Sequence, residues 1–153
     1  MPKYSVMKPL IRLATEQDYT QVLRLIKEFA LFQGAPDKVT ITAEQMQQDK
    51  ALFRCFVAQT AEGELVGFAS FFPAYYSWTG KAIYLDDLYV TDRYRKKGTG
   101  KLLLQAVIDL ARQEGCKKVR WQVSKWNHNA IEFYKSMGAS IDDVEINCDL
   151  PLQ

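Results

Sequence analysis

The stretch RYRKKGTGK, residues 93–101, is the most informative part of this sequence. It holds five cationic side chains and two glycines in nine residues. The run AIYLDDLYV before it has the composition of a strand, and the run LLLQAVIDLA after it has the apolar spacing of a helix. Glycines at such a junction let backbone N–H groups converge on an anion, and the helix N-terminus adds about half a positive charge. The stretch therefore predicts a phosphate-binding loop.

Two common phosphate loops do not fit this stretch. The pattern G-x-x-x-x-G-K-[ST] requires a glycine at position 95 and a serine or threonine at position 102, where the chain has Arg95 and Leu102. The dinucleotide pattern G-x-G-x-x-G requires a third glycine where the chain has Leu103, and no βαβ unit opens the chain. The pattern that remains is R-x-x-G-x-G.

Size and composition indicate one ordinary globular domain, which we expect over residues 8–153. The chain has 153 residues, of which nearly half are hydrophobic and a quarter are charged. A net charge of +2 gives no general case for nucleic-acid binding, so any electrostatic argument must be local. A basic nucleic-acid module at residues 93–101 is the weaker alternative, because no aromatic stacking platform flanks the loop.

The cysteines predict neither a metal site nor a disulfide framework. Cys55, Cys116 and Cys148 are widely spaced and form no C-x-x-C pair, which is typical of a reduced cytoplasmic protein. A thiol nucleophile would need His128, the one histidine, as its base. The N-terminus MPKYSVMKPL lacks the apolar core of a signal peptide, and no apolar run approaches the ~20 residues of a membrane span.

The predicted element order is β, α, α, β, β, β, α, β, α, β. An antiparallel middle and a βαβ end argue against a doubly wound sheet, so we expect an α/β protein with a mixed, mostly antiparallel sheet flanked by helices. Pro73 predicts an end or bend in the third strand. The predicted strands cover residues 10–14, 54–60, 65–76, 82–90, 118–124 and 144–150.

Two motifs together resemble the GNAT superfamily of acyl-coenzyme A N-acyltransferases. The loop from Arg95 to Gly100 resembles the family's pyrophosphate loop, and WNHNAIEFYKSMGA, residues 126–139, resembles its second signature, W-N-x-x-A-x-x-F-Y-x-x-x-G-A. RLIKEFA, the turn WTGK and YLDDLYV resemble the diamine acetyltransferase branch, which includes spermidine/spermine and thialysine acetyltransferases. The resemblance runs over residues 11–139 and implies a GNAT fold with acetyl-CoA as cofactor.

The resemblance also implies which residues hold the cofactor. The strand before the loop would pair its free edge with the pantetheine amides, and the loop would bind the pyrophosphate. Leu88 and Val90 can equally be core residues, and Asn127 can be an N-cap. The cofactor-binding residues so implied are Leu88, Tyr89, Val90, Arg95, Lys96, Lys97, Gly98, Thr99, Gly100, Lys101, Asn127 and Tyr134.

The catalytic assignments are Tyr134 and Asp86. In the family the tyrosine of F-Y lies near the cofactor sulfur and can protonate the leaving thiolate, although on an amphipathic helix Tyr134 can also be a core residue. Asp86 stands where the branch carries a substrate-facing glutamate and would attract the ammonium and accept its proton. Strand alternation predicts opposite faces for Asp86 and Asp87. As alternatives, these acids cap a strand bulge or pair with Arg93 or Lys97.

The implied substrate-binding residues are Lys27, Glu28, Asp86 and Asp87. Trp78, Tyr75 and Tyr76 can wall an amine pocket by cation–π contact or serve as interface or core aromatics. After Gly138 the chain departs from the branch, because its usual Gly-Trp loop is missing and only Glu145 offers a substitute for a further substrate acid.

The sequence therefore predicts an N-acetyltransferase that moves an acetyl group directly to the primary amine of a small polyamine, diamine or lysine-like substrate. A protein or peptide amine as acceptor and a non-catalytic coenzyme A sensor remain open alternatives. A homodimer is expected from the resemblance alone. We expect neither nucleic acid nor a membrane among the partners.

Overall fold

The computed structural model describes residues 8–153, which form two compact units. The first unit ends at Trp121, and the second spans Gln122–Gln153. The single domain expected over residues 8–153 stays a prediction, and each unit is described by itself.

The described part of the first unit is a five-stranded sheet with helices. The sheet order is β1-β2-β3-β4-β5, and every neighbouring pair is antiparallel except β4 and β5. This confirms the mixed, mostly antiparallel sheet. The strands are β1 Leu10–Leu13, β2 Arg54–Gln59, β3 Leu65–Tyr76, β4 Gly80–Val90 and β5 Val119–Arg120, and the helices are α1 Tyr19–Phe32, α2 Ala43–Gln48 and α3 Thr99–Gln113.

Helix α1 is anchored at its start by a buried carboxylate. Asp18 accepts a hydrogen bond from the Thr15 backbone N–H at 2.7 Å and forms an ion pair with Arg12 at 2.7 Å. The hydrogen bond from Arg12 lowers the pKa of Asp18 to about 2, against the opposing effect of burial. Because Arg12 lies on β1, this pair fixes the start of α1 relative to the sheet.

The two faces of the sheet carry different helices. On the first, named the α1 face, Phe68 and Tyr89 pack with Val22 and Leu25 of α1. The opposite face meets α3 at Gly67, where an added Cβ would lie 3.0 Å from the Tyr89 carbonyl oxygen and 3.2 Å from Leu103 Cδ1. Glycine at this position therefore lets β3, β4 and α3 approach closely.

Strand β3 continues through Pro73, so a strand end there is wrong, and the alternative of a bend stays a prediction. Pro73 pairs with Ile83 of β4 in an unbroken ladder. Strand β2 begins at Arg54, opposite Phe71, and runs antiparallel to β3. Among the described strands, β3 beyond Phe71 therefore has only β4 beside it. Proline is tolerated at such an edge because its missing N–H costs no ladder hydrogen bond.

A bulge interrupts β4 at the acid pair. Ser70 pairs with Asp87 and Phe71 pairs with Leu85, which leaves Asp86 as an extra residue. Side chains alternate along β4, so Asp86 projects to the same face as Tyr84 and not to that of Leu85. Asp87 pairs with Ser70, which projects to that same face. The predicted placement on opposite faces is therefore wrong, because the bulge breaks the alternation and puts both acids on the α1 face.

Strand β5 is much shorter than the predicted 118–124. It pairs with β4 only at Ile83 and Tyr84. From Leu85 to Val90, this edge of β4 has no strand partner within the described part of the unit.

The second unit contains helix α4, His128–Ser136, which ends before Gly138 at a φ of 96°. The strand predicted over 144–150 is not formed. Val144, Ile146 and Leu150 alternate as in a strand but are 80%, 83% and 83% exposed. Alternation alone does not form a strand, which also needs a partner for its backbone groups. No helix among residues 8–153 has the length and hydropathy needed to cross a membrane.

Candidate active site

The loop between β4 and α3 presents free backbone donors. Lys96 and Gly98 have positive φ angles of 61° and 83°. The N–H groups of residues 96–101 have no acceptor among the described residues, and the first paired N–H of α3 is that of Leu102, which donates to the Gly98 carbonyl at 3.0 Å. Unpaired donors at the start of a 15-residue helix are the structural requirement for anion binding.

The surroundings of this loop fit a coenzyme A diphosphate. A Cβ added to Gly100 would meet only Val90 Cγ2 at 3.8 Å, so the space beside this glycine is open. Lys96, Lys97 and Lys101 are exposed and surround the free donors with positive charge.

Arg95 has a different position from the lysines of the loop. Its Nε donates to the Val90 carbonyl at 2.9 Å, and its guanidinium lies 4.3 Å from the ring centroid of Phe32 and 5.4 Å from that of Tyr89. The side chain of Arg95 thus joins the loop to α1.

A cavity of about 330 Å³ lies between α1, the end of β4 and the loop. The Thr91 N–H donates to the Val66 carbonyl at 2.9 Å, which in an antiparallel ladder turns the backbone groups of Leu88 and Val90 toward the open edge. The Val90 carbonyl already accepts a hydrogen bond from Arg95, so the backbone groups of Leu88 and the Val90 N–H are the ones that face the open edge without this contact. Their binding of pantetheine amides stays a prediction. The cavity is lined by Phe29, Phe32, Leu88, Tyr89, Val90, Arg95 and Gly100.

The two acids of the bulge are neighbours that differ in exposure, since Asp86 is exposed and Asp87 is half-buried. The pKa of Asp87 is raised to about 6. Burial is the larger cause, and the charge of Asp86 is the second. Burial also raises the pKa of Asp86, although part of its side chain reaches solvent. Two adjacent, partly desolvated carboxylates attract a cation and hold protons more tightly than ordinary acids do.

Glu28 and Lys27 occupy different sides of α1. Glu28 is half-buried, and its Oε2 is buried without a hydrogen-bond partner among the described residues. The pKa of Tyr89 is raised by burial and then by the charge of Glu28, so this carboxylate lies beside the cavity wall. Lys27 is exposed. The structure therefore brings Glu28 to the α1 face and leaves Lys27 in solvent.

Beyond the bulge, the α1 face carries aromatic rings followed by cations. The rings of Phe72 and Tyr84 stack at 5.2 Å. Lys118 Nζ and the Arg120 guanidinium lie 4.1 Å and 4.5 Å from the ring centroid of Tyr76. Sequence reasoning missed both cations. Their i, i+2 spacing in a predicted strand was the available signal, since it puts them on one face.

The other predicted aromatics do not form a wall. Tyr75 and Trp78 are 79% and 97% exposed, so neither side chain is packed around a pocket.

The second unit carries the remaining predicted residues. The Asn127 side chain accepts a hydrogen bond from the Ala130 N–H at 3.2 Å and so caps α4. Tyr134 is half-buried, and burial raises the pKa of its phenol. The proposed cofactor and catalytic roles of these two residues stay predictions.

Comparisons with known proteins agree with this arrangement. Residues 14–139 match the profile of the "Acetyltransferase (GNAT) family". The chain is 37% identical over 141 residues to a thialysine N-epsilon-acetyltransferase of Sus scrofa, covering 85% of this chain and 83% of that protein. It is 37% identical over 139 residues to the Homo sapiens spermidine/spermine N(1)-acetyltransferase-like protein 1, covering 84% of this chain but 20% of that protein.

Solved structures support the fold. The crystal structure of an aminoglycoside acetyltransferase, meta-AAC0020, from an uncultured soil metagenomic sample superposes with a TM-score of 0.78 at 22% identity, covering 94% of this chain and 96% of that one. With the family profile and the sequence relatives, this establishes that the chain belongs to the GNAT family and is an acetyltransferase.

Proposed function

We propose that this protein transfers an acetyl group from acetyl-CoA directly to the primary amine of a small polyamine, diamine or lysine-like substrate. The observation that carries the proposal is the position of Asp86 and Asp87 on β4, immediately before the edge residues Leu88 and Val90. The names of the sequence relatives, which include thialysine and spermidine/spermine acetyltransferases, support the same acceptor class.

The cofactor is held mainly by backbone groups in this proposal. The free N–H groups of residues 96–101 bind the diphosphate, and Leu88 and the Val90 N–H bind the pantetheine amides. Acetyl-CoA bound there supplies a thioester carbonyl that a neutral amine can attack. Holding both reactants replaces a collision in solution with a nearly unimolecular step.

The acceptor arrives as an ammonium and must lose a proton first. Asp86, with Asp87 beside it, attracts the ammonium and accepts the proton directly or through water. A carboxylate with a pKa of about 6, as at Asp87, is a better base than an ordinary one because it lies closer to the amine's own value near ~10. The nitrogen–carbon bond then forms and the carbon–sulfur bond breaks.

Tyr134 is the proposed proton donor to the departing sulfur. The substitution Tyr134→Phe should lower kcat by about 100-fold, because general acid catalysis contributes on this scale. The KM for acetyl-CoA should change by less than about twofold, since the ring is retained. An unchanged kcat would remove this assignment.

The function is tested by release of free thiol from acetyl-CoA with purified protein. The acceptors are spermidine, spermine, putrescine, thialysine, lysine and a lysine-containing peptide. Turnover on a small amine supports the proposal. Turnover on the peptide alone would replace it with a protein acetyltransferase, an alternative that the partial exposure of Asp86 favours. Acetyl-CoA binding without turnover on any acceptor would point to a sensor.

The homodimeric state and the cytoplasmic location stay predictions. Sedimentation equilibrium of the purified protein would decide the first.

A further inference from the structure

The α1 face carries a gradient of charge along the β3–β4 ladder. Carboxylates lie at one end, where Glu28 stands beside Tyr89 and the bulge carries Asp86 and Asp87. Cations lie at the other end, where Lys118 and Arg120 meet the ring of Tyr76. A substrate with only positive charges would be matched at one end of this face and repelled at the other.

The register shows independently that these groups share the face. Arg120 pairs with Tyr84 in the parallel β4–β5 ladder, and paired residues project to the same side. Burial first, and then the charge of Asp86, raises the pKa of Tyr84, while the charge of Arg120 lowers it. Tyr84 therefore lies between the acidic and cationic ends.

The two cations have no counter-ion in the described residues. Neither Lys118 nor Arg120 takes part in any ion pair found within residues 8–153. Both converge on the ring of Tyr76, and Arg120 is exposed, so an anion from solvent can reach them and would be attracted by both charges. A carboxylate suits this place because a guanidinium binds it through two parallel hydrogen bonds.

We infer that the acceptor is a small amino acid whose side-chain amine is acetylated at Asp86 and whose carboxylate is bound by Lys118 and Arg120. This inference rests on the proposed function and narrows its acceptor class. It separates amino acids with a terminal amine from polyamines and diamines, which carry no carboxylate.

The register brings the acidic and cationic positions close along the ladder. Arg120 pairs with Tyr84, which lies two residues before Asp86 on β4. The α-ammonium of the same molecule would meet the rings of Phe72 and Tyr84, whose faces attract cations.

The test uses acceptor pairs that differ only by the carboxylate. Lysine is compared with cadaverine, and ornithine with putrescine, in the thiol-release assay with saturating acetyl-CoA. The wild-type protein should have at least a tenfold higher kcat/KM for each amino acid than for its decarboxylated partner, because a hydrogen-bonded charge pair is lost in the diamine. Equal or reversed preference in both pairs would overturn the inference.

Variants identify the residues responsible. Arg120→Gln should lower kcat/KM for lysine by about 10- to 100-fold, mainly through KM, and change that for cadaverine by less than about threefold. Arg120→Glu should reverse the preference toward cadaverine. Lys117→Gln is the matched control, since it removes one positive charge from the neighbouring, exposed Lys117 and should alter neither acceptor. An equal loss for both acceptors in Arg120→Gln would mean a structural role and would overturn the assignment.

A binding measurement separates this inference from the proposed function. Calorimetry of lysine and cadaverine with the coenzyme A-loaded protein requires no turnover. If no small amine is acetylated, the proposed function fails, yet lysine binding that disappears in Arg120→Gln would still establish the carboxylate site. Absence of lysine binding, or equal binding of cadaverine, would overturn it.

Discussion

The glycine loop of residues 95–101 and the α1 face around Asp86 use the chain in opposite ways. In the loop the groups proposed to bind are backbone N–H groups, since those of residues 96–101 have no acceptor within residues 8–153 while the lysine side chains extend into solvent. On the face the backbone is paired in a ladder, and the groups proposed to act are the side chains of Asp86, Asp87 and Arg120. Substitutions should therefore act by different rules in the two regions.

The largest loss of activity is expected from a substitution of Asp86, whose side chain is the proposed base. Asp86→Asn keeps the size of the side chain but removes its charge and its basicity, so kcat/KM for the amine should fall by about 100-fold. The KM for acetyl-CoA should be unchanged, as measured by varying each substrate in turn. Asp109→Asn, an exposed acid on α3, is the control and should resemble the wild type. A loss confined to acetyl-CoA would contradict the division between the two regions.

The second largest change is expected in the KM for acetyl-CoA, and it tests the role of the loop backbone. Gly100→Ala should raise the KM for acetyl-CoA about tenfold because a Cβ would occupy the space beside the free donors. The melting temperature should hold or rise, since the added Cβ meets only Val90 at 3.8 Å and alanine favours a helix. Gln113→Ala at the other end of α3 should leave the KM unaltered. A lower melting temperature in Gly100→Ala would show that the glycine is needed for folding.

A smaller effect is expected from the side chains of the same loop. Lys101→Gln should raise the KM for acetyl-CoA only about two- to threefold, because an exposed charge is screened by water and salt. The difference from the wild type should shrink as the salt concentration rises. A loss above tenfold that persists in high salt would mean that this side chain, and not the backbone, holds the ligand.

The smallest effect concerns the stability of the face and its pH dependence. The folded-state pKa of Asp87, about 6, is raised above the ordinary value of 3.8, so the folded protein holds this proton more tightly than the unfolded chain. The stabilising contribution of this proton is therefore present below pH ~4 and is lost as the pH rises to about 6. The full shift would correspond to about 3 kcal/mol at pH 7, but the side chain is only half-buried and water screens part of this effect. Asp87→Asn should therefore gain about 1 kcal/mol in urea unfolding at pH 7 and nothing at pH 3.5. An equal difference at both pH values would exclude this cause.

The two regions also differ in how far the sequence predicts them. The loop was predictable because Gly98 and Gly100 permit local backbone conformations and close approaches that other residues resist, and local backbone geometry is what an anion site requires. The placement of Asp86 and Asp87 on one face was not predictable, because a bulge depends on which residue of β3 pairs with each residue of β4. The cations at Lys118 and Arg120 depend likewise on the β4–β5 register.

Strand ends were predicted less well for the same physical reason. Residues 118–124 and 144–150 have strand-like composition, but only Val119–Arg120 acquires a partner strand. Pro73 was overinterpreted, because its effect depends on whether a second neighbour needs its N–H. The contact of the Thr15 N–H with Asp18 before α1 is of the opposite kind, because capping is decided within a few residues of the chain.

The bulge in β4 has a consequence for how such an enzyme can change over generations. Leu85 opposite Phe71 and Asp87 opposite Ser70 would be consecutive steps of a regular ladder if the codon for Asp86 were deleted. Gain or loss of a single codon can therefore add or remove one acid without shifting either flank of the sheet. Under the proposed function, such a deletion would remove the base at Asp86 and leave the loop of residues 95–101 as it is.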